Sequence, residues 1–302
     1  MDDVALAIRE FRALTGYRTL EQAQRIDVIR YRDSLSEKGR QPKTLDKKLS
    51  FICALYNVAI NNGKLSYNPA ARVPIPKSKG AGRVPLDTDD LKRLFGSPLY
   101  TQGKRLGRST AEAGVWLPLM ALYQGCRVEE LAQLHIDDIE KIDGIWCLLI
   151  TDLNDNADAP EKRLKNTDSR RRLPIHPVLI EAGLLRYHAQ LKRQGEKRLF
   201  PTLKPDRYGR YSSGFSKAFM SYLRKTLAIT DRRKDFHSLR HTFRDACREA
   251  GLDEELSDAL MGHSGGQKMG RRYGSGFTLK RLHAAIQQVA YPDLVITPIV
   301  PE

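Results

Sequence analysis

The chain has 302 residues, enough for two domains that each bury a core of their own. It carries 51 Lys plus Arg against 36 Asp plus Glu, a formal net charge of +15. Residues 1–85 hold 16 basic and 8 acidic side chains, and residues 86–302 hold 35 and 28, so the excess does not come from one basic tail. Two basic halves favour a polyanionic partner such as nucleic acid. A generally soluble basic surface is the alternative that charge alone leaves open.

The cysteine spacing argues against a disulfide-stabilised or zinc-binding protein, and the hydropathy argues against a membrane-spanning one. Cys53, Cys126, Cys147 and Cys247 share no CxxC spacing and stand among apolar neighbours. This predicts reduced, buried thiols rather than a disulfide scaffold or a zinc knuckle. The sequence contains no signal-peptide pattern and no apolar run long enough to span a bilayer. We therefore expect a cytoplasmic protein with no membrane association.

The first part of the chain predicts a small helical domain over residues 1–73. Residues 19–22, Thr-Leu-Glu-Gln, have the form of a capping box and predict the start of a helix that ends at Gly39. A second helix is expected to begin near Thr44 and to end at Asn62. Its predicted buried face consists of Leu45, Leu49, Ile52, Leu55 and Ala59. Three lysines off that face are expected to bind a DNA backbone: Lys43, Lys47 and Lys48.

Residues 74–85 are a predicted linker. They are rich in Pro, Gly and cations and show no hydrophobic periodicity. Lys77, Lys79 and Arg83 give this segment the charge of a strap over DNA. Asp87 is then expected to cap the first helix of a second domain.

The second domain, residues 86–287, predicts an α+β fold in which helices surround a small antiparallel sheet. A mostly apolar helix covers about 114–123 and ends at Gly125. Residues 145–150 form one β-type run, and residues 161–176 are expected to contain two more strands. Helical patterns follow over 177–194 and 213–226, and an amphipathic helix begins near Leu279. Residues 288–302 form a C-terminal tail.

Two arginine motifs are of a kind that can bind a phosphate group. Gly125 breaks a helix so that Arg127 begins the next one, and Glu130 lies one helical turn further on, within reach of Arg127. His237 and Arg240 are three residues apart and share a helical face. Guanidinium groups stabilise the charge that develops on phosphate oxygens because they are planar and permanently charged. An isolated Arg-x-x-Glu, however, is more often a surface ion pair.

Three further groups extend this set. Lys165 lies in a polar turn, and a lysine has the flexible stem and the tunable pKa of a proton donor. Lys162 competes with it for that role. His263 follows a glycine, and Tyr273 comes ten residues later. A phenol, with an ordinary pKa of about 10, needs nearby cations to favour the anion that acts as a nucleophile.

The order and spacing of these residues resemble the active site of the tyrosine recombinase (phage integrase) family. The resemblance covers about residues 20–290 and rests on Arg127, Lys165, His237, Arg240, His263 and Tyr273. It implies that the helical domain is a core-type DNA-binding domain, that residues 86–287 are catalytic, and that the two close around duplex DNA as a clamp.

The resemblance also assigns roles to the residues. Tyr273 would attack a phosphodiester and leave a 3′-phosphotyrosyl intermediate with a free 5′ hydroxyl. Arg127, supported by Glu130, and Arg240 would clamp the phosphate, and Lys165 would protonate the leaving 5′ oxygen. His237 would assist acid–base steps, and His263 would donate a hydrogen bond to the scissile phosphate.

The partners that the resemblance implies are double-stranded DNA and further copies of the chain in a tetrameric synapse. Accessory DNA-bending or directionality proteins and a bacterial or phage origin belong to the same expectation. No cofactor is expected, since the ester energy is kept in the intermediate and the sequence has no P-loop or dinucleotide fingerprint. No metal is expected either, because arginines take its place. The tail, residues 288–302, either packs on its own domain or is exchanged between protomers.

Several alternatives remain at this point. A type IB topoisomerase resembles the same site but reseals one strand without exchange, and a DNA-binding protein could keep the fold without the chemistry. His237, His241 and Cys247 would need a fourth ligand to bind zinc. The pair at residues 137–138, Asp-Asp, is either a magnesium site or, more commonly, a cap or turn. Glycines at 265, 266 and 270 indicate a mobile Tyr273 and leave its delivery in cis or in trans open.

Overall fold

The computed structural model describes residues 2–76, 82–107, 110–153, 162–164, 169–263 and 276–299. The chain divides into two compact units, Met1–Ala81 and Gly82–Glu302.

The described part of the first unit contains three helices around a small apolar core. They are α1 (Asp2–Thr15), α2 (Arg25–Glu37) and α3 (Pro42–Asn61). The core joins α1 and α2 through Phe11 and Tyr31, whose rings meet edge to face at 5.5 Å between centroids. Helix α1 has no counterpart in the sequence prediction.

The predicted start of the first long helix is wrong by several residues. Helix α2 begins at Arg25, and its first turn is capped by Gln24, whose N–H donates to Asp27 Oδ2 at 2.9 Å. The Gln22 side chain instead accepts hydrogen bonds from the N–H groups of Arg18 and Thr19, which holds the preceding residues in a turn. The Thr-x-x-Gln pattern therefore closes that turn and does not start a helix. Helix α3 begins near the expected residue and buries Leu45, Leu49 and Ile52 as predicted. The other two residues of the predicted face, Leu55 and Ala59, are half-buried.

The described part of the second unit is helical apart from one small sheet. Its helices are α4 (Thr88–Phe95), α5 (Pro98–Thr101), α6 (Ala113–Gln124), α7 (Val128–Ala132), α8 (Pro177–Glu181), α9 (Leu184–Arg193), α10 (Ser212–Lys225), α11 (Phe236–Glu249), α12 (Glu254–Met261) and α13 (Leu279–Ile286). Asp87 caps α4 as expected, its Oδ1 accepting from Asp90 N at 2.9 Å. No helix within the described ranges is long and apolar enough to cross a membrane.

The sheet has three antiparallel strands in the order β1-β2-β3. The strands are β1 (Ile139–Ile142), β2 (Ile145–Ile150) and β3 (Arg171–Pro174). Strand β1, which the sequence analysis did not predict, pairs Ile142 with Ile145 across a tight turn. Of the two strands expected within 161–176, only β3 is found in the described part, and residues 162–164 are not in a strand. Helices around a small antiparallel sheet confirm the predicted α+β class.

Helix α6 lies at the centre of the second unit. Every residue of α6 is buried, including Pro118 within the helix. Helix α11 packs directly against it, with Phe243 over the α6 end at Gly125. This packing places the starts of α7 and α11 beside each other, and both arginine motifs lie at these two starts.

The C-terminal tail packs on its own unit as far as residue 299. Tyr291 donates its hydroxyl to the carbonyl oxygen of Leu122 at 2.7 Å. Val289 is buried and its carbonyl lies 2.8 Å from His176 Nε2. Ile299 is buried as well, and its N–H donates to Ala182 O at 2.9 Å.

Candidate active site

Arg127 lies at a reversal of the chain between α6 and α7. Helix α6 ends at Gly125 in the left-handed region, at φ 61°, and a side chain there would overlap the ring of Phe243. Arg127 then takes the N-cap position of α7. Its Nη1 is 2.6 Å from Glu130 Oε1, and its N–H donates to Glu130 Oε2 at 3.0 Å. The i,i+3 contact expected from the sequence is thus present and fixes the direction of the guanidinium group.

Glu130 has a second arginine partner that the sequence analysis missed. Arg171 Nη2 lies 3.0 Å from Glu130 Oε2, and both side chains are buried. The Nε of Arg171 donates to Leu260 O at 3.0 Å, at the end of α12, and its Nη1 donates to Ser169 O at 2.9 Å. Arg171 therefore joins the start of α7, the start of β3 and the end of α12. The three consecutive arginines at 170–172 were the available signal, but spacing alone did not show which one faces inward.

Arg240 is the most deeply buried cation of the site. It lies on α11, is 2% exposed, and donates from Nη1 to the carbonyl oxygen of Gly125. Its Nε and Nη2 are buried and have no hydrogen-bond partner among the described residues. Burial and the neighbouring charge of Arg127 lower the pKa of Arg240 to about 10. A buried guanidinium group with two unused donors is costly unless an anion completes it.

Both histidines of the motif lie close to Arg240. Burial and the charge of Arg240 lower the pKa of His237 to about 4, and they do the same for His263. The ring of His237 meets that of His241 edge to face at 5.1 Å between centroids. His263 Nδ1 lies 3.4 Å from Asp258 Oδ1, a carboxylate that also pairs with Arg244. At neutral pH both rings are therefore uncharged, so each can offer a donor or an acceptor.

The structure brings together four of the six residues in the predicted set. Arg127 Nη2 donates to the carbonyl oxygen of Gly262, the residue before His263, at 3.3 Å. The charge of Arg240 lowers the pKa of His237 and of His263, and the charge of Arg127 lowers the pKa of Arg240, as expected for groups in one region. The other two predicted residues, Lys165 and Tyr273, lie outside the described residues.

Lys162, the competing lysine, is held in place by a buried ion pair and is not a mobile proton donor. Its Nζ is 2.6 Å from Asp138 Oδ1, and both side chains are at least nine-tenths buried. Asp138 also accepts the N–H of His135 at 2.8 Å. Asp138 thus closes a capping box in a short 3-10 helix (Ile136–Asp138) and forms a buried ion pair, whereas Asp137 is exposed. No group of three or more His, Cys, Asp or Glu side chains in the described ranges could hold a metal ion.

The cations predicted to contact DNA differ in their surroundings. Lys43 is exposed on α3. Lys47 lies 2.6 Å from Asp3, and Lys48 lies 2.5 Å from Glu10 with only 12% of its side chain exposed. Lys48 is therefore not the free cation that its place off the apolar face indicated, because α1, which was not predicted, supplies its partner. Arg83 lies 2.6 Å from Asp235, the N-cap of α11. Lys77 and Lys79 lie outside the described residues.

Comparisons with known proteins identify the family of the chain. The model of the phage integrase family matches residues 86–276. The chain belongs to the phage integrase family, and it is a DNA-breaking and DNA-rejoining enzyme of the tyrosine recombinase type. Tyrosine recombinase XerD of Listeria innocua is 23% identical over 265 residues, which cover 84% of this chain and 77% of that protein.

Two solved structures share the fold at low sequence identity. The integrase of transposon Tn1549, in complex with transposon right end DNA, is 18% identical with a TM-score of 0.61, covering 96% of this chain and 94% of that one. The lambda integrase tetramer bound to a Holliday junction is 15% identical with a TM-score of 0.57, covering 89% and 70%.

Proposed function

We propose that this chain is a site-specific recombinase that cuts and rejoins duplex DNA through a 3′-phosphotyrosyl intermediate. The observation that carries the proposal is the buried guanidinium group of Arg240, whose Nε and Nη2 have no hydrogen-bond partner among the described residues. Burial and the charge of Arg127 lower its pKa. Two permanent cations in one largely buried region bind a phosphate monoanion more strongly than exposed cations do. Arg127 and Arg240 are the phosphate clamp of this proposal.

In the cleavage step one bond to phosphorus forms, another breaks, and two protons are transferred. The phenolic oxygen of Tyr273 forms a bond to phosphorus and loses its proton, for which His237 is the acceptor. The bond from phosphorus to the 5′ oxygen breaks, and that oxygen takes a proton from Lys165. Rejoining is the same sequence in reverse, with a 5′ hydroxyl as the nucleophile. No high-energy cofactor enters because the phosphodiester is exchanged for a phosphotyrosyl ester.

His263 has the role of a hydrogen-bond donor to the scissile phosphate. Its Nδ1 faces the Asp258 carboxylate, so Nε2 is the nitrogen left to face the phosphate. Nε2 donates there when the ring is protonated, a state that both the phosphate anion and the Asp258 carboxylate favour. Glu130 and Arg171 hold the guanidinium group of Arg127 in the clamp without contacting DNA. Their buried hydrogen bonds support this assignment.

Recombination needs more than one copy of the chain on DNA. The lambda integrase of similar fold was solved as a tetramer bound to a Holliday junction, and the Tn1549 integrase was solved with transposon end DNA. By this likeness we propose that double-stranded DNA and a multimeric synapse are the partners of this chain, with its two units binding the same duplex.

The experiment uses supercoiled plasmids that carry the DNA flanking the gene. Purified protein is incubated with the plasmid and denatured, and DNA-linked protein is measured together with the chemistry of the cut ends. The proposal expects a protein-blocked 3′ end and a free 5′ hydroxyl, and it expects no adduct with Tyr273→Phe or Arg240→Met. Adducts formed by Tyr273→Phe would refute the assignment of the nucleophile.

A second measurement separates recombination from simple relaxation. Two plasmids that carry the same flanking DNA are incubated together, and joint or exchanged products are counted. A topoisomerase would relax each plasmid without producing exchanged molecules. A recombinase produces both adducts and exchanged products.

A further inference from the structure

Residues 206–210, here named the basic turn, form an ordered loop next to the candidate active site. Asp206 Oδ1 accepts the N–H groups of Tyr208 and Arg210 at 2.8 and 3.0 Å. Gly209, at φ 77°, donates its N–H to Asp206 O at 2.8 Å. Asp206 also accepts the hydroxyl of Ser213, at the start of α10. The basic turn therefore has a fixed backbone although it lies at the surface.

One carboxylate ties the end of the basic turn to the helix that begins at Arg127. Glu129 accepts the N–H of Tyr211 at 2.8 Å and the N–H of Ser212 at 2.9 Å. Glu129 lies two residues after Arg127, on α7. The same short helix thus positions the Arg127 guanidinium group through Glu130 and the basic turn through Glu129.

Four arginines line the cleft between these elements. The cleft has a volume of about 750 Å³ and is lined by Arg127, Arg163, Arg207 and Arg210, among others. The two carboxylates among its described lining residues are engaged, since Glu129 accepts from the backbone and Glu130 pairs with Arg127 and Arg171. The described lining of the cleft therefore holds four guanidinium groups against two engaged carboxylates, a set of charges that suits an anionic ligand.

Three of these arginines are gathered around one tyrosine. Tyr208 is 43% exposed, and the guanidinium carbons of Arg207 and Arg210 lie 4.7 and 6.0 Å from its ring centroid. Arg207 Nη2 donates to the Tyr208 hydroxyl at 2.6 Å, and Arg163 Nη1 donates to its carbonyl oxygen at 3.1 Å. Stacking and bonding to one residue restrict the long side chains, so less entropy is lost when they bind a ligand.

We propose that Arg163, Arg207 and Arg210 bind backbone phosphates of the duplex beside the bond that is cut. The proposal rests on the proposed function, because it takes the scissile phosphate to lie at Arg127. A DNA strand carries a charge about every 3.4 Å of helix axis. A duplex with one phosphate at Arg127 therefore carries further phosphates along the same cleft. Guanidinium groups match phosphate geometry, and such groups set the position of the duplex without reading its sequence.

The test measures how the affinity of the full chain for DNA depends on salt. Arg207→Gln/Arg210→Gln is compared with Lys92→Gln/Arg93→Gln, which removes the same charge from exposed residues of α4 outside the cleft. The probes are the flanking-DNA duplex and a random-sequence duplex of equal length. The slope of log affinity against log salt is expected to fall by about 0.9 for each phosphate that the variant no longer neutralises, equally on both duplexes. Arg163→Gln is expected to lower the salt slope by about 0.9, the value for one phosphate.

Two outcomes would overturn the proposal. One is a salt slope in the Arg207/Arg210 variant equal to that of the Lys92/Arg93 variant. The other is weaker binding to the flanking-DNA duplex alone, which would mean base recognition. The result is independent of the chemistry. Covalent adducts formed by the unaltered chain report on the proposed function, whereas the salt slopes of the variants report on this proposal.

Discussion

The guanidinium group of Arg171 occupies the space in which a side chain at Gly262 would have to lie. Gly262 ends α12 in the left-handed region, at φ 63°, and a Cβ built on it would overlap Arg171 Nη1 and Cζ. Gly262 directly precedes His263, and the carbonyl oxygen of Gly262 accepts a hydrogen bond from Arg127. A glycine and an arginine 91 positions apart in the sequence therefore determine how closely two parts of the candidate site approach each other.

Gly262→Ala is expected to destabilise the chain and to slow DNA cleavage. A left-handed conformation costs an alanine about 1–2 kcal/mol, and displacement of Arg171 from Glu130 adds to this cost. The matched control is Gly251→Ala, because Gly251 has φ 69° and nothing lies within 4 Å of an added Cβ. Urea unfolding and adduct formation are measured for both variants. Equal costs and equal cleavage rates would show that the contact with Arg171 has no effect.

Glu130→Gln is expected to lower the free energy of unfolding by about 3–5 kcal/mol, because it leaves two arginines without their shared carboxylate. Burial raises the pKa of Glu130, but the charges of Arg171 and Arg127 outweigh it and hold the pKa below its ordinary value of 4.5. The stability that Glu130 contributes is therefore present above about pH 4.5 and is lost as pH falls through the lower folded pKa. Urea unfolding from neutral to acidic pH measures this loss. The Gln variant should lack that part of the acid dependence, whereas Glu140→Gln on exposed β1 should retain it.

The two site histidines are expected to titrate near pH 4 in the DNA-free protein. Because their ordinary pKa is 6.5, the unfolded chain binds the extra protons between about pH 6.5 and 4. The free energy of unfolding should therefore fall as pH decreases through that window. Arg240→Met should raise both ring pKa values, since the charge of Arg240 lowers each of them. NMR titration of the imidazole signals tests this, with Arg93→Met as the control. Unchanged titration in Arg240→Met would contradict it.

Tyr291→Phe is expected to cost about 1 kcal/mol of stability, because the Leu122 carbonyl at the end of α6 loses its donor. Burial raises the pKa of Tyr291 well above 10, so the hydroxyl remains a donor at all working pH values. Deletion of residues 288–302 should cost more, since Val289 and Ile299 are also buried on the same unit. Both variants are measured as isolated chains at several protein concentrations. A loss of stability that appears only at high concentration would mean that the tail docks on a neighbouring protomer.

Local patterns predicted the parts of the fold that neighbouring residues determine. The cap at Asp87, the helix end at Gly125 and the contact from Arg127 to Glu130 each join residues no more than four apart, so spacing is sufficient to predict them. The α+β class and the family also followed from the sequence, because the order of the motif residues is a property of the chain. The domain limits and the catalytic roles of all six motif residues stay predictions.

Only the tertiary structure showed which residues far apart in the sequence are in contact. Arg171 is 41 positions from Glu130, and Arg240 is 115 positions from Gly125. No periodicity shows which arginine of a run will face inward or which carbonyl will receive it. The ion-pair partner of Lys48 is Glu10 on α1, a helix that the sequence analysis did not predict. Burial is the physical reason, because the pKa of a guanidinium or imidazole group, and its need for an anion, depend on what packs around it.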